Sequence, residues 1–252
     1  MKNRKNSPKI RLWAVCFWLT VWQLGSMALN QKLLLVSPLQ VLIRLSRLAP
    51  TAAFWSTVSF SFLRIAAGFF SAAFLGSLLA ALSARFCRVM ELLAPLMLAI
   101  KSVPVASFII LALLWCPSRN LSVLISFLMV LPVIYTNVLE GIGASDRQLL
   151  EMAQVFAAAP RQIILSIYLP QIFPYFRAAC GTALGLCWKS GIAAEVIGLP
   201  TGSIGERLQQ AKVYLDTPDL FAWTLVVVLL SLSFGRLFLF LLDQLALRLE
   251  LV

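Results

Sequence analysis

The residues with the clearest potential for chemistry are charged side chains inside long apolar segments. They are Arg64, Lys101, Lys189 and Glu195. A charge in such a segment must face protein or water, and it typically marks a solute path or an intramembrane polar network. We expect Arg64 to bind backbone carbonyls or Glu195, with direct solute contact as the alternative. Lys189 is predicted to pair with Glu195 or with a group on a neighbouring segment.

The sequence lacks the residue combinations of common catalytic sites. It contains no histidine, which removes the usual general base and the commonest metal ligand. Its five cysteines lie mostly in apolar segments and show no metal-ligand spacing. Lys189-Ser190 does not form a phosphate-binding loop, because Trp188 stands where that loop requires glycine. We therefore predict no catalytic, cofactor or metal site in this chain.

Composition indicates an integral membrane protein. Of 252 residues, 61% are hydrophobic and 12% are charged, and the mean hydropathy is +0.91. The net charge of +11 is scattered over the flanks of apolar segments, so it does not indicate a nucleic-acid partner. We predict an all-α polytopic membrane protein with six transmembrane helices. The predicted spans are 12–29, 55–83, 91–116, 121–139, 174–198 and 221–247.

The predicted spans divide the chain into an amino-terminal part and a core. Residues 1–54 comprise a tail, the first span and an outer linker, and residues 55–252 form a core with a loop at 141–170. The amino terminus also has the pattern of a secretory signal, with a small-x-small site at Ser26-Met27-Ala28. Cleavage there would leave five spans and the whole core.

Two prolines predict interruptions of the spans. Pro104 follows Lys101 in the third span, and Pro132 lies in the fourth. Proline removes a backbone donor and kinks or breaks a helix. Broken helices around a cavity are typical of transporters, although receptors and membrane enzymes contain them too.

Basic residues at the ends of the spans predict the topology. They are more numerous on the side that contains the amino terminus, Arg85, Arg88, Arg147 and Arg161. The positive-inside rule places that side in the cytoplasm. Both termini and the loop at 149–170 are therefore predicted to be cytoplasmic.

The loop at 149–170 is an amphipathic segment between two apolar spans. Ser145 or Asp146 is placed to cap a short helix, which should stop near Ala157. Pro160 suits the first turn of a second helix, and Pro170 should end it. Two short surface helices joined to spans at both ends would pass force from a partner into those spans.

Several loop residues have the spacing of a family motif. Glu151, Ala153, Ile167, Leu169 and Pro170 match Glu-Ala-Ala, three residues, Gly, nine residues, Ile-x-Leu-Pro. The chain thus resembles the permeases of ABC importers. It departs from them at Met152, where the family prefers alanine, and at Ala157, where it has glycine. Alanine in a left-handed turn costs roughly 1–2 kcal/mol, so we expect a looser or a right-handed turn here.

A narrower resemblance extends over residues 36 to 250. The run from Trp188 to Gly198, Ser203-Ile204-Gly205 and Lys101-Ser102-Val103-Pro104 are similar to the permeases of the nitrate, sulfonate, taurine and bicarbonate importer group. Related permeases in this group serve pyrimidine precursors of thiamine, so the resemblance leaves the cargo open.

The resemblance implies a type I ABC-importer permease with a cytoplasmic coupling-helix loop in a prokaryotic inner or plasma membrane. Its partners would be a second permease copy or a homologue, a cytoplasmic ABC ATPase dimer that binds ATP and Mg, and an extracytoplasmic solute-binding protein. The coupling-loop residues would be Glu151, Ala153, Phe156, Ala157, Pro160, Ile167, Leu169 and Pro170. Phe156 is the expected anchor in a cleft of the ATPase.

Two other classes remain as alternatives. A secondary transporter would carry internal repeats and paired intramembrane carboxylates, whereas Glu195 is the one acid that we place deep in a span. An intramembrane enzyme would need a nucleophile with a base or a metal cluster. The surplus of cations in or beside the spans favours a small anion, such as a sulfonate or nitrate, as the cargo of a permease.

Overall fold

The regular structure is helical throughout the described part of the chain. The computed structural model describes residues 12–29 and 35–248, and no strand occurs among them. The elements in chain order are α1 (Leu12–Leu29), α2 (Pro38–Leu48), α3 (Ala52–Arg85), α4 (Cys87–Ser102), α5 (Val105–Ala112), α6 (Ser118–Gly143), α7 (Arg147–Val155), α8 (Pro160–Ile163), a π-helical turn (Ile164–Tyr168), α9 (Leu169–Gly198), α10 (Ile204–Val213) and α11 (Thr217–Arg248).

Four of these helices are long and apolar enough to cross a membrane. They are α3, α6, the continuous helical run Pro160–Gly198 and α11, and the bent pair α4 and α5 makes a fifth if it forms one span. The prediction of an all-α polytopic membrane protein is confirmed. The described residues show four or five spans rather than six, since α1 coincides with the first predicted span but is not among these helices.

The predicted break at Pro104 is present. Helices α4 and α5 meet at an angle of 104°. Val103 has an extended backbone with φ −77° and ψ 130°, as expected for a residue that precedes proline. Lys101 therefore lies in the last turn of α4, beside the bend.

The other two predicted proline breaks are wrong. Helix α6 continues through Pro132, where the Thr136 hydroxyl donates to the Pro132 carbonyl at 2.8 Å. Pro170 lies in the first turn of α9 and does not end a helix. The π-helical turn before it explains this, because the Leu169 amide bonds the Ile164 carbonyl five residues back. This wider coil relieves the contact between a proline ring and the preceding turn.

The chain forms two compact units. The first contains the residues up to Trp55 and Arg207–Val226. Its small core is built on Val36, Val41 and Ala222, and the Arg44 guanidinium contacts Asp219 at 2.9 Å. This grouping does not test the predicted division into residues 1–54 and 55–252, which stays a prediction.

The second unit contains Ser56–Glu206 and the chain from Val227 onward. Helices α6 and α9 pack along each other within it. A side chain at Gly191 would collide with Ile65 and Ser126, so glycine allows α9 to approach its neighbours closely. Its largest aromatic cluster contains Phe62, Phe69, Trp188, Phe234 and Phe238.

Candidate functional site

The loop between α6 and α9 begins with a capped helix. The Asp146 carboxylate accepts the Gln148 amide at 2.8 Å, which confirms Asp146 as the cap of α7. The Asp146 amide in turn donates to Oε1 of Gln171 at 2.7 Å. The start of α7 is thereby tied to the first turn of α9.

Helix α7 ends in a left-handed turn at Ala157. The Ala158 amide bonds the Ala153 carbonyl at 2.9 Å, and the Ala157 amide bonds the Gln154 carbonyl at 3.0 Å. These two bonds form a Schellman motif, in which the residue after the cap is left-handed. Ala157 has φ 50°, so the right-handed alternative is wrong. The turn carries the cost of roughly 1–2 kcal/mol that glycine would avoid.

This turn exposes an apolar tip. Val155 is 83% exposed and Phe156 is 76% exposed. Ala153 faces inward and is buried, whereas Glu151 is exposed on the same helix. Val155 and Phe156 thus form a small exposed apolar surface at the end of α7.

The second half of the predicted motif leads into α9. Pro160 begins α8, and the Gln162 side chain accepts the Ala159 amide at 3.3 Å. Ile167, Leu169 and Pro170 are partly buried where the π-helical turn meets α9. The motif thus contains an exposed tip followed by a partly buried attachment. Its role in docking stays a prediction.

Glu195 forms a buried polar centre near the other end of α9. Its side chain is fully buried. Oε2 accepts the Ser61 hydroxyl at 2.7 Å and the Gly205 amide at 3.3 Å. Ser122 is also buried and lies close to this carboxylate without a hydrogen bond of ordinary geometry.

These groups satisfy the first amides of α10. The Ile204 amide donates to the Ser61 hydroxyl oxygen at 2.9 Å, and the Glu206 amide donates to that of Ser203 at 3.0 Å. With the Gly205 amide on Glu195, three donors that a helix start leaves unpaired all have partners. A side chain on Gly205 would overlap the Glu195 backbone. The Glu195 and Ser203-Ile204-Gly205 parts of the sequence motif therefore meet in one cradle.

Arg64 lies near Glu195 without serving as its hydrogen-bond donor. The two charges attract each other, but Ser61 and Gly205 supply the bonds to the carboxylate. The Arg64 guanidinium instead stacks over the ring of Phe60, 4.1 Å from its centroid. The predicted binding of Glu195 by Arg64 is therefore not present as a hydrogen bond, and contact of Arg64 with a solute stays a prediction.

Neither Lys101 nor Lys189 lies at Glu195, and only Lys189 was predicted to pair with it. Lys101 donates to the Thr136 hydroxyl at 3.5 Å. Lys189 is exposed on α9. Six residues correspond to about 600° of helical rotation, which places Lys189 about 120° from Glu195 around the helix. The expected pairing of Lys189 with Glu195 is therefore wrong.

Two arrangements were missed from the sequence. Arg177 on α9 and Asp243 on α11 form a bidentate ion pair, with 2.8 Å between Nη2 and Oδ2. The presence of opposite charges in two predicted spans could have indicated this pair. Arg119, at the start of α6, lies near enough to Arg64 for the two charges to repel each other. Ser61 gave no signal, because an uncharged serine in a span is ordinary.

Comparison with known proteins places this geometry in a family. The profile of the family described as binding-protein-dependent transport system inner membrane component matches residues 72–251. A probable ABC transporter permease protein of Brucella melitensis is 32% identical over 98 residues. That alignment covers 39% of this chain and spans only 39% of the relative's length.

Two relatives align over most of the chain. The taurine transport system permease protein TauC of Escherichia coli K12 is 25% identical over 84% of this chain and 80% of its own. The formylaminopyrimidine transport permease protein ThiX of Halalkalibacterium halodurans is 25% identical over 85% of both chains.

A solved structure shares the fold. It is a crystal structure of an amino acid ABC transporter with histidines, with a TM-score of 0.53 and 17% identity. The match covers 76% of this chain and 90% of that one. The helical order, the loop between α6 and α9 and the family match lead to one conclusion: the chain belongs to the family of binding-protein-dependent transport system inner membrane components, the permeases of ABC importers.

Proposed function

We propose that this permease passes a small anion, such as a sulfonate, taurine or nitrate, from an extracytoplasmic binding protein into the cytoplasm. The observation that carries the proposal is the exposed tip of Val155 and Phe156 on a loop with the family's coupling motif. In this proposal the chain is a transport subunit, and ATP and Mg are bound by a partner ATPase dimer.

The loop geometry supports a docking role. The Phe156 side chain projects from a Schellman turn whose backbone is fixed by two hydrogen bonds. Because the backbone at Phe156 is already ordered, docking would have to order only the side chain, so this residue suits an anchor in a cleft. Glu151 would contact the rim of that cleft.

The route by which force would spread is also present. The α7 cap is bonded to Gln171, and the helical run continues from Pro160 to Gly198. Closure of two ATPase subunits would move this loop and rock the attached spans as rigid bodies. A second permease copy would supply the other half of the translocation route.

The charge balance supports an anionic cargo. Arg64, Lys189 and Arg236 lie in long apolar helices, and Lys101 lies in the last turn of α4, whereas Oε2 of Glu195 is bonded by Ser61 and Gly205. Positive potential in a route of low dielectric concentrates anions. The likeness to a taurine permease supports the same class, since taurine carries a sulfonate group.

A thiamine pyrimidine precursor is the second candidate cargo. The formylaminopyrimidine permease aligns with this chain as extensively as the taurine permease does. In a permease supplied by a binding protein, the binding protein selects the solute and the permease only has to let it pass. The cations in the helices would then stabilise the fold and would not select an anion.

Reconstitution tests this function. The permease would be purified from native membranes with its associated subunits, identified by mass spectrometry, and placed in vesicles with the binding protein. We expect an ATPase to co-purify and ATP-dependent uptake of taurine or nitrate. Uptake without an ATPase would favour a secondary transporter. ATP-dependent uptake of formylaminopyrimidine alone would refute the anionic cargo and retain the permease assignment.

A further inference from the structure

We propose that a pocket in the second unit binds the oxyanion head of a small sulfonate-like solute. The pocket has a volume of about 460 Å³ and is lined by Phe60, Ser118, Arg119, Leu199, Pro200 and Thr201. This volume is within the range of small-molecule sites, roughly 300–1,000 Å³. The inference rests on the proposed anionic cargo and adds a place for it on the permease itself.

Two arginines give the pocket its positive charge. Arg119 forms part of the wall. Arg64 does not line the pocket, but its guanidinium lies 4.1 Å from the centroid of the Phe60 ring, which does. The two guanidinium groups repel each other. Arg119 is exposed and Arg64 is partly buried, and an anion beside them would be attracted by both positive charges.

Arg64 keeps unused hydrogen-bonding capacity. A guanidinium has five N–H donors. Its Nε atom is buried and has no hydrogen-bond partner among the described residues. A buried donor without a partner costs free energy, and an oxyanion that reached it would recover that cost.

The nearby acids do not fill this role. Glu195 accepts hydrogen bonds from Ser61 and Gly205. Glu206 accepts the Gly202 amide at 2.6 Å. Oε1 of Glu195 is buried and has no hydrogen-bond partner among the described residues either, and neither carboxylate lines the pocket.

The remaining walls suit a small organic anion. Ser118 and Thr201 add hydroxyl donors, while Phe60, Leu199 and Pro200 offer apolar surface to a short alkyl tail. Leu199 caps α9 in the left-handed conformation, with φ 49°, and so turns the chain into this wall. Planar guanidinium groups bind sulfonate or carboxylate oxygens in pairs.

Direct binding to the assembled permease tests the site. The permease and its partner subunits would be placed in lipid nanodiscs without the binding protein. Binding of radiolabelled ethanesulfonate would be measured by equilibrium dialysis. Ethyl methyl sulfone, of similar size but uncharged, is the control solute. The variants are Arg64→Gln and Arg119→Gln, and the control variant is Arg47→Gln, which removes an exposed arginine on α2.

We expect the wild-type complex to bind ethanesulfonate and not the sulfone. Arg64→Gln and Arg119→Gln should each weaken binding by about tenfold or more, since each removes one of the two positive charges in or beside the pocket. Arg47→Gln should change it less than twofold. Arg64→Lys keeps the charge and should weaken binding less than Arg64→Gln, which separates a charge effect from misfolding.

Three results would overturn the site. They are no saturable binding of ethanesulfonate to the wild type, equal binding of the sulfone, or an equal loss in all three glutamine variants. The proposed function is judged separately by uptake. Normal ATP-dependent anion uptake with unchanged binding in both pocket variants would reject the site alone. Bound ethanesulfonate with uptake only of formylaminopyrimidine would reject the anionic cargo and retain the pocket.

Discussion

Helices α7 and α10 end in the same way. Each closes in a Schellman motif with a left-handed residue that is not glycine, Ala157 in one and Leu215 in the other, where φ is 55°. Each turn exposes an aromatic residue at the cap. Phe156 is 76% exposed and Tyr214 is 80% exposed. The same backbone motif therefore exposes an aromatic residue at two separate places in the chain.

The starts of the two helices differ. Helix α7 is capped by its own surface aspartate, Asp146. Helix α10 begins on the buried carboxylate of Glu195 and the hydroxyl of Ser61. Asp216, which follows the left-handed Leu215, accepts the Asp219 amide and contacts Arg44 at 3.4 Å. The contacts of Asp216 therefore hold the chain just after the α10 tip. The α7 tip is held mainly through the bond between Asp146 and Gln171 and through the attached helices.

The topology predicted from the charges puts the two tips on opposite sides of the membrane. The α7 tip would then contact the ATPase, and the α10 tip would face the binding protein. Four predictions test this contrast between the α7 and α10 ends, in order of decreasing effect.

The largest effect is expected at the α7 tip. Phe156→Ala or Glu151→Lys should reduce ATP-dependent uptake to background, a loss of more than about 100-fold if Phe156 is an energetic anchor. The permease should still insert normally, because both residues are exposed. Uptake and membrane abundance would be measured together.

Tyr214→Ala is the matched control for that experiment, since it removes an equally exposed aromatic residue from the other tip. It should leave the ATPase bound in pull-down from membranes. Wild-type uptake in a normally expressed Phe156→Ala variant would disprove the coupling assignment.

The second prediction concerns sidedness. In a variant without native cysteines, Val155→Cys should react with a membrane-impermeant thiol reagent only after the membrane is opened. Val213→Cys should react from outside. Both valines are exposed, whereas Ser145 and Ser203 are buried and therefore unsuitable as labelling sites. The opposite pattern would invert the topology.

The third prediction concerns the start of α10. Gly205→Ala would place a methyl group inside the Glu195 backbone, so we expect a loss of roughly 3 kcal/mol in unfolding free energy. Thermal unfolding in detergent measures it. Gly143→Ala is the control, because the added methyl group would meet open space at the end of α6. Equal unfolding free energies of the Gly205→Ala and Gly143→Ala variants would contradict the close contact between Gly205 and Glu195.

The smallest effect is expected at the left-handed residues. Ala157→Gly should raise the unfolding free energy by up to about 1 kcal/mol, since the relief of the left-handed strain exceeds the entropy cost of glycine. Ala144→Gly, at a cap with φ −83°, should lower it instead. A loss of stability in both variants would show that Ala157 is unstrained.

The helices were predictable where a single physical pattern decides them. Long apolar runs fixed α3, α6, α9 and α11 to within a few residues, and Pro104 gave the bend between α4 and α5. Pro132 and Pro170 were misjudged, because tolerance of proline depends on local hydrogen bonds. A π-helical turn contains about one more residue than a turn of α-helix, and the amino-acid composition does not indicate where it occurs.

The candidate site was predictable in part. Capping chemistry narrowed the start of α7 to Ser145 or Asp146, and spacing identified the motif from Glu151 to Pro170. The partners of Glu195 could not be found in this way, because Ser61 and Gly205 are distant from it in sequence and carry no charge. Which polar groups meet inside a bundle depends on how helices rotate against one another, and periodicity gives only the face that is apolar.

Helix α9 joins the two candidate sites mechanically. Its 30 residues correspond to a rod of about 45 Å, with the coupling motif at one end and the Glu195 cradle close to the other. A tilt of about 5° imposed at the Leu169 end displaces the far end by about 4 Å, more than the length of a hydrogen bond. Such a tilt would stretch or break the bonds from Ser61 and Gly205 to Glu195 unless α3 and α10 moved together with α9.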